Sequence, residues 1–187
     1  MKYRALDEDF IISPDSLFFD SISSVCAAIV SLEAIINPRN LCSFEKGQKI
    51  TLDGRIQPGV FLYPHMVFQQ YQARKIEART ITRELLRIMI LGCYEKVKHK
   101  NDQSSLFEFF RHVRNGCAHD NRFRFNEDQP SVPGIWRTLR IGAKLKGSKN
   151  PLSGKPVLFD FLAPGDVIGF LGDMDLYIQH KLNDTQI

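Results

Sequence analysis

The residues best suited to chemistry lie together near the middle of the chain, in the segment Phe107–Phe125, FEFFRHVRNGCAHDNRFRF. This segment contains Arg114, Asn115 and His119. A neutral imidazole can accept a proton, and a guanidinium group can hold a phosphate through two oxygens. An α-helix advances about 100° per residue, so Asn115 and His119 are predicted to share a helical face, with Arg114 beside them. These residue types at this spacing predict phosphodiester chemistry without a metal.

The sequence RNGCAH, residues 114–119, resembles the R-x4-6-H motif of the HEPN superfamily (higher eukaryote and prokaryote nucleotide-binding domains). A polar residue after the arginine, here Asn115, is also usual in that family. The resemblance implies a mainly α fold, a HEPN-like helical bundle that dimerises and often acts as a metal-independent ribonuclease. It implies catalytic roles for Arg114, Asn115 and His119. A small free-standing member would resemble a toxin or a phage-defence protein, with a cognate antitoxin as a candidate partner.

Such a ribonuclease is expected to work as a homodimer. A general base would remove the proton of a ribose 2′-OH, and that oxygen would attack the adjacent phosphorus while a general acid protonates the leaving oxygen. One His119 cannot easily serve both faces of this displacement. A two-fold dimer would bring two copies of the motif to one cleft.

Arg114 and His119 also have a structural interpretation. The arginine would neutralise a carboxylate such as Asp120, and the histidine would cap a helix end or satisfy a buried carbonyl. His112 is predicted to be a surface residue that faces elsewhere. Cys117 would point away from His119 on a helix, which argues against a Cys–His nucleophile.

Two alternatives to an enzyme remain open from the sequence. One is a non-catalytic HEPN-like module that dimerises and binds nucleotide or RNA. The other is a structural interaction domain whose contact face is basic.

Length and composition are those of an ordinary globular protein. With 187 residues, 43% of them hydrophobic and 25% charged, the chain is predicted to form a single domain over residues 1–187. No apolar run reaches the roughly 20 residues that cross a bilayer. The acidic N-terminus does not resemble a secretory signal, so a cytoplasmic location and no membrane partner are expected.

The sequence predicts neither a metal nor a cofactor. It has no glycine-rich phosphate loop and no carboxylate cluster suited to magnesium. Its cysteines are scattered without a C-x-x-C spacing, and they are predicted to be buried thiols rather than bridges or zinc ligands. They are Cys26, Cys42, Cys93 and Cys117.

Hydrophobic periodicity predicts four to five helices in all. Ser13-Pro14 is typical of a helix start, with the serine as N-cap, and an apolar stripe continues from there to Ile36. Val30 widens that stripe. Two short extended pieces are predicted next, at Lys49–Leu52 and Val60–Tyr63.

The second long helix is predicted over Ile76–Lys98, with Ile88 on its inner side, and Pro64 marks an earlier possible start. A third helix is predicted from 106 to about 117, with Ser105 as its cap. Gly116 inside it suggests a close backbone approach or a disturbed turn.

The last part of the chain predicts a β-hairpin at about 135–162, packed on the bundle and anchored by Trp136. The closing helix begins at Pro164, with Leu176 among its apolar residues. Between Gln129 and Phe159 every charged residue is basic, which favours contact with a nucleic-acid backbone. The residues expected to bind nucleic acid are Arg111, Arg122, Arg124, Arg137, Arg140 and Lys144.

Overall fold

Most of the residues that the structure describes lie in five α-helices, and a small antiparallel hairpin precedes the last of them, as the sequence predicts. The computed structural model describes residues 2–4, 9–11, 13–36, 48–52, 60–73, 77–126, 130–142 and 150–184. The helices are α1 (Phe19–Ile36), α2 (Pro64–Gln72), α3 (Ala78–Val97), α4 (Ser105–Ala118) and α5 (Pro164–Asp184). The strands are β1 (Lys2–Arg4), β2 (Asp9–Ile11), β3 (Ile50–Leu52), β4 (Val60–Leu62), β5 (Gly134–Trp136) and β6 (Leu139–Ile141). They pair only as β1–β2, β3–β4 and β5–β6 in the described residues.

The chain forms two compact units, one from Met1–Val25 and Arg83–Ile187 and the other from Cys26–Thr82. The second unit holds the antiparallel β3–β4 pair, which confirms the two predicted extended pieces. Its helix α2 begins with Pro64 at the first helical position, where the missing N–H is not needed. Phe68 on α2 is buried. The prediction of a single domain stays a prediction.

The core of the first unit is built on aromatic rings. Phe110 of α4 lies edge-to-face against Phe18, Tyr94 of α3 and Phe170 of α5, with ring centroids 6.4, 5.2 and 5.1 Å away. Such pairs contribute about 0.5–1.5 kcal/mol beyond their buried area. The next ring along α4, Phe109, contacts Phe170 as well, at 5.2 Å. Helix α4 therefore sits in the middle of this unit.

Two predicted helix starts are displaced in the structure. Ser13 caps a turn rather than a helix, because its hydroxyl accepts from the N–H of Asp15, and α1 begins only at Phe19. The cap of α4 is Ser104, whose hydroxyl accepts from the N–H of Phe107, and the predicted cap Ser105 is the first helical residue. The cap of α4 is thus one residue from its predicted place, whereas α1 begins six residues after Ser13.

Two apolar residues predicted to face inward are exposed, Val30 at 65% and Ile88 at 67%, and Leu176 of the closing helix is exposed as well, at 56%. On α3 the buried face is a different apolar stripe from the one that contains Ile88. Its apolar residues recur every three or four positions without a break. The buried residues of that stripe are Leu86, Met89, Ile90, Cys93 and Val97. Ile76, also predicted on the inner side of α3, lies outside the described residues.

The β5–β6 hairpin packs against α4. A Cβ atom on Gly134 would lie 2.7 Å from Cα of Phe109, so only glycine permits this approach. Trp136 is buried and its indole N–H donates to Asp173 at 2.8 Å, which confirms it as an anchor. The hairpin is shorter than predicted, because Arg137 adopts φ 50° and closes it with a tight turn. Residues 157–162 form turns and an isolated bridge instead of a second strand.

Helix α5 begins at Pro164 as predicted, and Asp166 accepts from the N–H of Ala163 at 2.9 Å. Within the described ranges, no helix has the length and apolarity needed to cross a membrane.

Candidate functional site at the end of helix α4

Helix α4 ends at His119, which is its C-cap with φ −103° and ψ 59°. The His119 N–H donates to the carbonyls of Asn115 and Gly116, at 3.0 and 3.2 Å. Asp120 and Asn121 then take left-handed φ values of 56° and 58°, which turn the chain away from the helix axis. His119 is exposed, and it lies just beyond the helix rather than on the helical face predicted to be shared with Asn115.

Arg114 is half-buried and held from three sides. Its Nη2 donates to Glu95 at 3.0 Å and its Nη1 donates to the side-chain oxygen of Asn115 at 3.3 Å. The guanidinium carbon lies 5.5 Å from the centre of the Tyr94 ring, a cation–π contact. The buried Nε atom has no acceptor among the described residues. The carboxylate partner is therefore Glu95 of α3, not the Asp120 that the structural interpretation named.

Glu95 is itself shared between two cations. Lys98 lies 2.5 Å from its second oxygen. Hydrogen bonds from Lys98 first and then from Arg114 hold the pKa of the Glu95 carboxyl below its usual value. The carboxylate is largely exposed, so solvent screens both pairs.

A second arginine, Arg87 of α3, holds the end of α4. Arg87 donates from Nε to the carbonyl of Cys117 at 2.9 Å and from Nη1 to Glu84 at 2.8 Å. A cation at this place also complements the negative end of the helix dipole. Neither Glu95 nor Arg87 was singled out from the sequence, because their roles depend on how α3 lies beside α4.

His112 is buried, at 2% exposure, and the prediction of a surface residue is wrong. Its ring packs against Phe125, 5.5 Å between centroids, because the chain after α4 returns across this side of the helix. Arg111 pairs with Glu108 through two nitrogens and also lies 3.1 Å from Nε2 of His112. Burial first, and the positive charge of Arg111 second, lower the pKa of His112 to about 4. The imidazole is therefore neutral near pH 7.

Another segment of the chain packs closely against Gly116, as its position in the helix suggested. A Cβ atom there would overlap Cγ2 of Val157, which packs directly on the last turn of α4. The segment around Val157 thereby fixes the end of the helix that carries Asn115 and precedes His119.

The basic residues predicted to bind nucleic acid have different surroundings. Arg122 is exposed and donates to the carbonyl of Gly154 at 2.8 Å, while Arg124 and Arg140 are exposed. Arg137 pairs with Asp173 at 2.9 Å. Arg111 is held by Glu108, as described above, and Lys144 lies outside the described residues.

The thiols give no nucleophile or metal site in the part of the chain that the structure describes. Burial raises the pKa of Cys117 to about 12 and that of Cys93 to about 11, so neither is a thiolate at neutral pH. Cys26 is also buried, and Cys42 lies outside the described residues. Across the described ranges, no three His, Cys, Asp or Glu side chains are grouped so as to hold a metal ion.

No family model, no curated protein and no solved structure matches this chain. The HEPN resemblance is therefore carried by residues 114–119 and their setting alone.

Proposed function

We propose that this protein is a metal-independent endoribonuclease of the HEPN type, with Arg114, Asn115 and His119 as its catalytic residues. One observation carries the proposal: α4 stops at His119, so an exposed imidazole directly follows the helical turn that bears the Arg114–Asn115 pair. An accessible base and a guanidinium group at one helix end suit attack on a phosphodiester.

In this proposal His119 transfers protons, and Arg114 stabilises the charge that builds on the non-bridging phosphate oxygens. Asn115 has its side-chain oxygen on Arg114, so its amide N–H groups are directed away from the guanidinium and can donate to the phosphate. The ribose 2′-oxygen is the nucleophile. The products are a 2′,3′-cyclic phosphate and a 5′-hydroxyl, and DNA is not cut because it has no 2′-OH.

The acid and the base come from two chains. Each chain supplies one His119, so a homodimer with a two-fold axis near this residue provides both. RNA contacts beyond the cleaved bond would come from Arg122, Arg124 and Arg140, which are exposed. We further propose a toxin or defence role in the cytoplasm, where buried thiols such as Cys93 stay reduced.

A second candidate is a non-catalytic HEPN-like module that binds RNA or nucleotide. The Arg114–Glu95 ion pair favours it, because a guanidinium that is tied to a carboxylate is a structural tether until a phosphate displaces that carboxylate. The two candidates differ in one readout: the module binds RNA without cutting it.

The test is cleavage of a short RNA in the presence of EDTA, followed by analysis of the product ends. The ribonuclease predicts cyclic phosphate ends, and no cleavage of the same oligonucleotide carrying one 2′-deoxy residue at the cut site. Binding without cleavage under all conditions would support the second candidate instead. Cleavage that EDTA abolishes would contradict the proposed chemistry.

A further inference from the structure

The turn after His119 is fastened by one buried side chain, that of Asn121, which is 7% exposed. Its Oδ1 accepts from the backbone N–H of Leu158 at 2.8 Å, and its Nδ2 donates to the Leu158 carbonyl at 3.3 Å. Leu158 lies 37 positions further along the chain and is itself buried. One amide side chain thus satisfies both backbone polar groups of a core residue, which would be costly to leave unbonded.

The backbone of Asn121 takes part in the same clamp. Its carbonyl accepts from the N–H of Val157 at 2.9 Å, and Val157 in turn packs on Gly116 of α4. Asp120 and Asn121 are consecutive non-glycine residues in the left-handed region. Asn and Asp tolerate this conformation best, and it persists where the surroundings determine it. Here the surroundings are the bonds to residues 157 and 158.

The clamp acts on His119 because this residue is positioned through its backbone. Its N–H is bonded to α4 and its carbonyl accepts from the N–H of Arg122 at 3.1 Å. Within the described part of the chain, the imidazole itself makes no hydrogen bond. The turn therefore sets where the Cα and Cβ atoms of His119 lie and so from where the ring projects, and Asn121 fastens the turn.

We propose that Asn121 is a positioning residue that holds the backbone of His119 in its reactive position; this rests on the proposed ribonuclease function. An acid or base must stay within hydrogen-bond reach of the reacting oxygen, and a displacement of about 1 Å lowers the rate by about 10²-fold. Loosening the turn should therefore lower turnover far more than it weakens RNA binding.

The experiment uses Asn121→Gly, which removes both side-chain bonds and still permits the left-handed backbone. The matched control is Asn150→Gly. Asn150 is equally buried and also makes two side-chain bonds to backbone, to the N–H of Leu152 at 2.9 Å and the carbonyl of Gly142 at 3.3 Å. Among the described residues it makes no bond to the turn at His119 itself: the segment that it fastens contacts the chain only beyond Asn121, where Gly154 and Lys155 bond the backbone of Phe123 and Gly154 accepts from Arg122.

Both variants should melt below the wild-type temperature. We expect kcat to fall about 10²-fold in Asn121→Gly, with KM little changed, and to stay near wild type in Asn150→Gly. Backbone ¹⁵N relaxation should show a lower order parameter at His119 in the first variant only. Wild-type kcat and wild-type order at His119 in a folded Asn121→Gly would overturn the proposal, as would an equal loss of kcat in the control.

A second variant covers the case in which Asn121→Gly does not fold. Asn121→Asp keeps the acceptor for the Leu158 N–H and the left-handed preference but loses the donor. Its kcat should lie below that of wild type, by less than the loss of about 10²-fold expected when both side-chain bonds are removed. Unchanged kcat with unchanged order at His119 would overturn the proposal. If the wild-type protein cuts no RNA, the proposed function fails, and the relaxation comparison alone decides whether Asn121 orders His119.

Discussion

At the residue scale, the decisive question is whether Arg114 can bind a phosphate while Glu95 holds it. The Glu95 pair is exposed to solvent, which screens it and leaves it little net stabilisation. A charge-assisted hydrogen bond to a phosphate contributes about 1.5–3 kcal/mol, and a guanidinium can form two of them. The magnitudes favour the phosphate, so the ion pair is compatible with a catalytic Arg114.

Arg114→Lys separates a phosphate clamp from a simple ion pair. Lysine keeps the charge and can still pair with Glu95, but it loses the two-pronged geometry. We expect RNA cleavage to fall at least tenfold while the melting temperature changes little. The control is Arg83→Lys, since Arg83 also pairs with a neighbouring glutamate on α3 and is similarly exposed. Equal cleavage by wild type and Arg114→Lys would show that Arg114 only forms a structural ion pair and does not hold the phosphate through two hydrogen bonds.

The buried His112 should make stability depend on pH. Its pKa is lowered by burial from 6.5 to about 4, so between these values the unfolded chain binds a proton that the folded chain does not. Stability must then fall as pH falls through this window. Between pH 7 and pH 5 this one group accounts for a loss of about 2 kcal/mol.

His112→Gln removes the titrating group and keeps an oxygen that can accept from Arg111. Urea unfolding at pH 7 and pH 5 measures the effect, and the variant should lose about 2 kcal/mol less than wild type over that interval. The same loss in both proteins would show that His112 is not the group responsible.

At the element scale, the end of α4 is defined by close packing on Gly116. Gly116→Ala should destabilise the protein by about 1–3 kcal/mol, because the new Cβ overlaps Val157. Gly92→Ala is the matched control: Gly92 is an exposed position inside α3 with no atom near its would-be Cβ. That change should stabilise by about 0.5–1 kcal/mol.

Chemical denaturation of the two glycine variants measures both effects. The double variant Gly116→Ala/Val157→Ala should be more stable than the sum of its single changes implies, since the smaller side chain makes room for the methyl group. A stabilising Gly116→Ala would contradict the packing described for this helix end.

The helices could be predicted where residues close in sequence determine their position. They could not be predicted where contacts with distant segments determine which face is buried. Proline at the start of α5 and the periodicity of α3 were sufficient to locate those helices, whereas Pro64 indicated a helix start without separating α2 from α3. The predicted inner face of α3 was wrong at Ile88. Two apolar stripes run along this helix in the sequence, and only the elements packed against it determine which stripe is buried. His112 was misplaced for a related reason: Phe125, which covers it, lies beyond the end of its own helix.

At the scale of the whole molecule, the fold class followed from the sequence, and the setting of the site did not. Composition and periodicity predicted a mainly helical chain with a hairpin before the last helix, and this is confirmed. The contacts of Glu95 with Arg114 and of Asn121 with Leu158 span 19 and 37 positions. No local sequence pattern indicates such pairs. The candidate catalytic residues were therefore found from the sequence, whereas the residues that hold them in place were found only in the structure.

A homodimer remains a prediction at this scale. Light scattering at micromolar concentration should give a mass twice that of the 21.5 kDa chain. Specific activity should fall on dilution in step with dissociation, because each cleft needs two copies of His119. A monomer that cleaves RNA at an undiminished rate would remove the two-chain site.

The most direct test of the central claim is the rate of RNA cleavage by His119→Ala, measured in EDTA beside its melting temperature. His99→Ala, at another exposed histidine, is the control. A catalytic His119 predicts a loss of about 10²–10⁴ in rate with a stability change under about 1 kcal/mol, and no loss of rate in the control. A folded His119→Ala protein that cuts RNA as fast as wild type would contradict the catalytic assignment, and one that unfolds would show a structural histidine.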